Sequence, residues 1–345
     1  MKTVFNVLCF CVVLGVGEIY AQPPQYSITD LGGGSGVGLN EVGQVILTGT
    51  THGRADLWQD GLLRELERPD GLTIGLGAIN DSGLIAGTST KCTSRPGGGL
   101  SCEEHLVFWH DTQATTLATF ASGDGRVNGI NNSGQIVGRD FTGRSRGFVW
   151  RDGVATEIHP AGAVGSWGVG INNLGQVVGG YRSESARTHA FLWDNGTFTD
   201  LGSPGGFGSS ARSINDKSQV VGAYPILGGG SVGFLWEDGV MTDLPLIPND
   251  INFHGEIVGG SGRAAVIWTD EQLWNLNDLL LGESEWRLDV AKQVNDQGQI
   301  LGYGINPAGS GHAFLLTPVP EPATIVLMIA GGLCALGIRR RPWAA

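Results

Sequence analysis

Basic residues are scarce: 21 Lys and Arg stand against 33 Asp and Glu and are scattered except for the last few, which leaves no patch for a polyanion. Nucleic acid is not an expected partner. Histidine is sparse too, and His52, His110, His159 and His254 occur singly, at no metal-ligand spacing. No segment alternates carboxylates over about twelve residues with a closing Glu, as a calcium loop requires. The Gly runs at 32–34, 97–99 and 228–230 lack the Lys and following helix of a phosphate loop, so they read as turns. No metal or cofactor is expected, and no helical periodicity runs through the middle of the chain.

What is present is a repeat. Seven times an aliphatic residue precedes Asn, at Asn40, Asn80, Asn131, Asn172, Asn215, Asn252 and Asn295, with spacings of 40, 51, 41, 43, 37 and 43 residues. A period near 40 with strand chemistry matches the four-stranded blade of a β-propeller. The fourth repeat shows the pattern: strands over Trp167–Ile171, Gln176–Tyr181, His189–Trp193 and Thr197–Leu201. The Asn side chain can cap its own turn, and Gly three residues later suits the left-handed position; Ser218 is the one exception. A second Gly, seven residues after Asn in all but the first repeat, leaves room for a neighbouring strand or ring.

The third strand ends in Trp58, Trp109, Trp150, Trp193, Trp236 and Trp268, with Leu316 in the seventh repeat, and these rings read as core. Asp60-Gly61, Asp152-Gly153, Asn195-Gly196 and Asp238-Gly239 then supply two-residue hairpins. The text Tyr26-Ser27-Ile28-Thr29-Asp30-Leu31-Gly32 repeats the fourth strand Thr197-Phe198-Thr199-Asp200-Leu201-Gly202, while the seventh repeat stops after its third strand at Leu316. The expectation is an all-β, seven-bladed propeller whose last blade is closed by the N-terminal strand, which removes open sheet edges.

The ends are of another kind. Residues 1–21 pair Lys2 with an apolar stretch from Val4 to Val16 and a short polar end, a secretory signal peptide with Ala21 as the last residue removed. Cys9 and Cys11 fall within it. Cys92 and Cys102 flank a nine-residue insertion, and in an oxidising compartment they are expected to form a disulfide. Residues 22–318 form the propeller and 319–345 a separate tail.

Two resemblances follow from particular residues. Gly147-Phe148-Val149-Trp150, His189-Ala190-Phe191-Leu192-Trp193, Gly233-Phe234-Leu235-Trp236 and His312-Ala313-Phe314-Leu315 resemble the HAF family of bacterial extracellular repeats, which implies export and a repeat fold but no reaction. Asp56 in the Phe place and the run Ala264–Trp268 depart from that pattern. Pro320-Glu321-Pro322, the apolar run 323–338 and Arg339-Arg340-Arg341 resemble a PEP-CTERM sorting signal. That resemblance implies cleavage by exosortase near the Pro-Glu-Pro, a short transmembrane helix with cytoplasmic arginines, and a Gram-negative bacterium that makes exopolysaccharide.

Chemistry is harder to find. No acid, base and nucleophile set converges, and His105, His189 and His312 recur four residues before the end of the third strand, as repeat features do. Antiparallel strands place both tight turns of each blade on one rim and the long loops on the other, with Arg126, His159, Trp167, Phe207 and Trp286 among the latter. Trp167 and Trp286 are the candidate ligand contacts. The chain reads as an exported binding or structural protein of the envelope or biofilm matrix, with exopolysaccharide as a partner; the alternative is a glycan-cleaving hydrolase or lyase on the same scaffold.

Overall fold

A computed structural model of the protein describes residues 24–320, apart from 50–53, 70–72, 96, 121–124, 141–144 and 186. Its strands form seven four-stranded antiparallel sheets. The fourth blade runs Gly165–Ile171, Val177–Arg182, Thr188–Asp194 and Thr197–Gly202, each boundary within two residues of the sequence expectation. Successive strands are spatial neighbours in six of the sheets, as short turns demand. In the seventh, Gln25–Gly32 adds to Gly311–Val319 at the outer edge, so the N-terminal strand closes the ring as expected. Gly311–Val319 continues three residues beyond Leu316, to the first residue of the tail.

The core lies between blades. Val137, Val149 and Ile158 of the third blade meet Val177 and Phe191 of the fourth, and equivalent clusters recur around the ring. Both faces of each sheet are therefore covered, which explains the continuous apolar runs in the second strands. Gly179 shows why the conserved spacing within the repeat demands glycine: a Cβ there would collide with the carbonyl oxygen of Trp167 in the adjacent strand. Gly138, Gly222 and Gly259 meet the same obstacle, and Phe234 also crowds Gly222.

The Trp rings pack against the core, as expected, but to different depths. Only Trp109 is fully buried, whereas Trp58, Trp150, Trp193, Trp236 and Trp268 are half-buried. The fully enclosed ring is the Phe two residues earlier, at Phe191, Phe234 and Phe314. Residues two apart share a sheet face, but the Trp stands nearer the tight-turn rim, where the blades no longer cover it completely.

The insertion in the second repeat is an extension of a hairpin rather than an irregular loop. Strands Leu84–Ser94 and Leu100–His110 stay paired to Ser94 and Leu100, and Cys92 and Cys102 face each other in register and are joined by a disulfide. Among the described residues no helix is long and apolar enough to cross a membrane. Ala21, Glu321, Pro322 and Arg339 to Arg341 lie outside the described residues, and Pro320 is the last of them.

Candidate functional site: the central channel and the long-loop rim

Each anchor Asn is buried, and all but Asn80, which has Leu84 in place of an acceptor, use the whole amide. Asn172 accepts from the Gln176 N–H at 2.9 Å, donates to Gln176 Oε1 at 2.7 Å, and donates again to the carbonyl oxygen of Asn215 in the next blade at 3.0 Å. The cross-blade bond repeats from Asn40 to Asn80, Asn80 to Asn131, Asn131 to Asn172, Asn215 to Asn252 and Asn252 to Asn295. Asn295 returns to Asn40 at 3.1 Å, so seven hydrogen bonds of 2.9–3.1 Å make an unbroken circle around the channel. Turn capping explains one half of the Asn side chain, and this circle explains the other.

A second circle lies at the tight-turn mouth, built from the residue after each Asn. Its backbone N–H donates to the next blade's side chain: Glu41 to Asp81, Asp81 to Asn132, Asn132 to Asn173, Asn173 to Asp216, Phe253 to Asp296 and Asp296 to Glu41. It is broken once, because Phe253 has no acceptor for Asp216. Glu41, Asp81, Asp216 and Asp296 make this mouth acidic, and burial among neighbouring carboxylates pushes Glu41 up to about 7.

The third tier lies deeper, at the position three residues before Asn. There the pairing of the first and second strands slips in every blade, a bulge at Val37, Gly77, Asn128, Val169, Arg212, Asn249 and Lys292. A bulge turns its extra residue out of the ladder, here towards the channel. Asn128, Arg212, Asn249 and Lys292 each donate to a backbone carbonyl of the next blade, those of Gly168, Pro248, Ala291 and Gly36, at 2.6–3.1 Å. Beside them Asp250 accepts from Ser213 Oγ at 2.6 Å and the Val294 N–H at 3.0 Å. Burial pushes Asp250 up to about 6. The space that these tiers line is about 450 Å³ and open to solvent, with lining from all seven blades.

The long-loop rim holds a different pattern. His189 faces Asp200 at 3.2 Å and stacks on Tyr181, whose hydroxyl donates to the same Asp200 at 2.8 Å. His312 meets Asp30 at 2.7 Å, and His105 meets Thr119 at 3.0 Å. His105 and His312 thereby tie the third strand to the outer strand of their own blade, whereas His189 Nδ1 makes no hydrogen bond and in the fourth blade Tyr181 holds Asp200 instead. Trp167 is half-buried with its ring over Gly180, and Trp286 is half-buried edge-on to Phe314 and His312. They belong to the fourth and seventh blades, so the fold does not bring the two rings together. His159 is held by Ala163 of its own loop and by Ser166 of the strand that follows, and Phe207 is exposed.

Sequence reasoning missed the channel residues. Their signal was a polar residue three places before Asn in four repeats, at a position that carries Val or Gly in the other three.

These features define a seven-bladed β-propeller closed by its own N-terminal strand and by one unbroken circle of cross-blade hydrogen bonds. Residues 318–341 match the PEP-CTERM protein-sorting motif. That motif marks an exported protein held transiently at the membrane, and it is consistent with exosortase as the processing partner. Among solved structures the chain is similar to the WD40 β-propeller domain of Doa1 (14% identity, TM-score 0.53, covering 87% of this chain and 98% of that one). It is similar to YCF48 bound to D1 peptide at 11% identity and a TM-score of 0.53, covering 87% and 99%. A likeness to Pyrococcus horikoshii acylaminoacyl peptidase has 14% identity and a TM-score of 0.49, and spans 72% of this chain but 46% of that enzyme. Such identities reach the fold alone. No curated protein matches the chain.

Proposed function

We propose that this protein is an exported binding and structural component of the cell surface or biofilm matrix, cut by exosortase near Pro320-Glu321-Pro322 after its signal peptide is removed at Ala21. The observation that carries the reading is the sorting motif over 318–341, which begins as the last propeller strand, Gly311–Val319, ends. The two prolines hold an extended segment a protease can grip, the 16 apolar residues of 323–338 enter the bilayer, and the arginines stay on the cytoplasmic side. The likeness of the repeats to HAF sequences supports export from an independent part of the chain.

Exopolysaccharide is the ligand class this setting favours. Trp167 and Trp286 serve as two separate contacts on the long-loop rim, each backed by its own blade and each partly open to solvent. The test is co-sedimentation of the mature protein with the exopolysaccharide of its source organism, for wild type, Trp167→Ala and Trp286→Ala. Saturable binding, weakened about fivefold or more by each change with melting temperature tracked alongside, supports the reading. Wild-type protein that stays in solution at every polysaccharide concentration sinks it.

A further inference from the structure

The third tier of the channel does more than tie blades together. Asn128 and Asn249 make their cross-blade bonds with a neutral amide, so a charge is not needed for that task. Arg212 and Lys292 nevertheless place two cations in the same wall, on the fifth and seventh blades to either side of Asn249. Their acceptors are all neutral. Arg212 gives Nη1 to the Pro248 carbonyl at 3.1 Å and to Asn249 Oδ1 at 2.6 Å, and Lys292 gives Nζ to Ser35 Oγ at 2.7 Å and the Gly36 carbonyl at 3.1 Å.

Among the described residues neither cation has a carboxylate within ion-pair distance. The Nε and Nη2 edge of Arg212, the fork that grips an oxyanion through two bonds, makes no hydrogen bond to a described residue. Lys292 keeps one N–H beyond the two it uses. Arg212 is exposed to the channel, so a solute can reach it, while Lys292 is half-buried. Surrounding protein lowers the pKa of both, as expected where no anion compensates for lost water. The space of about 450 Å³ falls within the range of about 300–1,000 Å³ typical of small-molecule sites.

We propose that the channel at this third tier is a binding site for a small solute bearing an oxyanion, carboxylate or phosphate, held between Arg212 and Lys292. Glu41, Asp81, Asp216 and Asp296 line the same space towards the tight-turn mouth, so the two cations hold the anion at the deeper end, away from those carboxylates. This site stands on the channel geometry and does not depend on polysaccharide binding at the rim tryptophans.

Calorimetric titration of the mature protein with glucuronate, inorganic phosphate and glucose tests it, using wild type and the double variant Arg212→Asn, Lys292→Asn. Asparagine copies what the third and sixth blades already use, so the staple stays while the charge goes. The expected result is saturable binding of glucuronate or phosphate, none of glucose, weakening by at least about tenfold in the double variant, and weakening of wild-type binding by added NaCl. Glucuronate as the tighter arm assigns the site to an organic acid, and phosphate alone assigns it to an inorganic ion. Absence of saturable binding of both anions, equal binding of glucose, or binding unchanged by the double variant or by salt overturns the proposal. Should the double variant fail to fold, Lys292→Arg alone decides: it keeps the charge, and binding lost there contradicts the assignment.

Discussion

Asn295 donates its Nδ2 hydrogen to the carbonyl oxygen of Asn40 at 3.1 Å, across 255 positions of sequence. That bond completes the circle begun by the other six, on the opposite side of the blade from the strand pairing of Gln25–Gly32 with Gly311–Val319. The ring is thus closed twice, at its inner and its outer edge. Asn295→Ala removes the cross-blade bond, the donation to Gln299 Oε1 and the acceptance from the Gln299 N–H, and leaves buried groups without partners. The expected loss in chemical denaturation is about 2–4 kcal/mol.

The turn at Asp270-Glu271 holds two non-glycine residues in the left-handed region, at φ 49° and 60°. Four other blades place Gly second in that hairpin, at Gly61, Gly153, Gly196 and Gly239. Glu271 is exposed and makes no contact that needs its side chain, so Glu271→Gly is expected to raise stability by about 1 kcal/mol, read from a denaturant midpoint.

Gly179→Ala tests the close approach of the second strand to the first. The methyl group meets the Trp167 carbonyl oxygen, which is held in the ladder and cannot swing away. A destabilisation of about 1–3 kcal/mol is expected from thermal unfolding, with the sheet otherwise intact by circular dichroism.

Glu41 is pushed from the usual 4.5 up to about 7 in the folded protein. Between those values the folded state holds a proton that the unfolded chain releases, so its contribution to stability is complete below about pH 4.5 and falls as pH rises through about 7. Glu41→Gln keeps an acceptor for the Asp296 N–H and removes the titration. A plot of melting temperature against pH should flatten between pH 5 and 8 in that variant; an unchanged slope would assign the dependence elsewhere, Asp250 being the next candidate.

Reducing the Cys92–Cys102 disulfide should loosen the protruding hairpin and little else, because the bridge spans 10 residues within one pair of strands. Loop-closure entropy sets an upper limit of about 3 kcal/mol. Hydrogen exchange is expected to quicken from Lys91 to Glu103 and to stay unchanged in the anchor turns.

The order of strands was legible because each blade carries its own signals within about 40 residues: Asn-x-x-Gly, then the glycine seven residues on, then the aromatic run and the Asp-Gly hairpin. The copy of fourth-strand text at Tyr26–Gly32 also disclosed how the ring closes, since a strand without a partner in its own repeat must complete another. These are local facts, written in residue type and spacing. The sorting motif is equally local, and it was readable for the same reason.

The channel was not legible. Arg212, Asn249 and Lys292 lie 37 and 43 residues apart in sequence and become neighbours only when blades five, six and seven stand side by side. Their direction depends on a bulge that no single residue type announces. Trp167 and Trp286 looked alike as loop aromatics, yet the ring sets them three blades apart, each resting on its own sheet. Sequence by itself determined the blade, its turns and its number, because backbone conformation and side-chain alternation are decided within a few residues. Tertiary structure alone decided what faces the axis and which distant groups share it, because circular closure brings together residues that the chain keeps far apart.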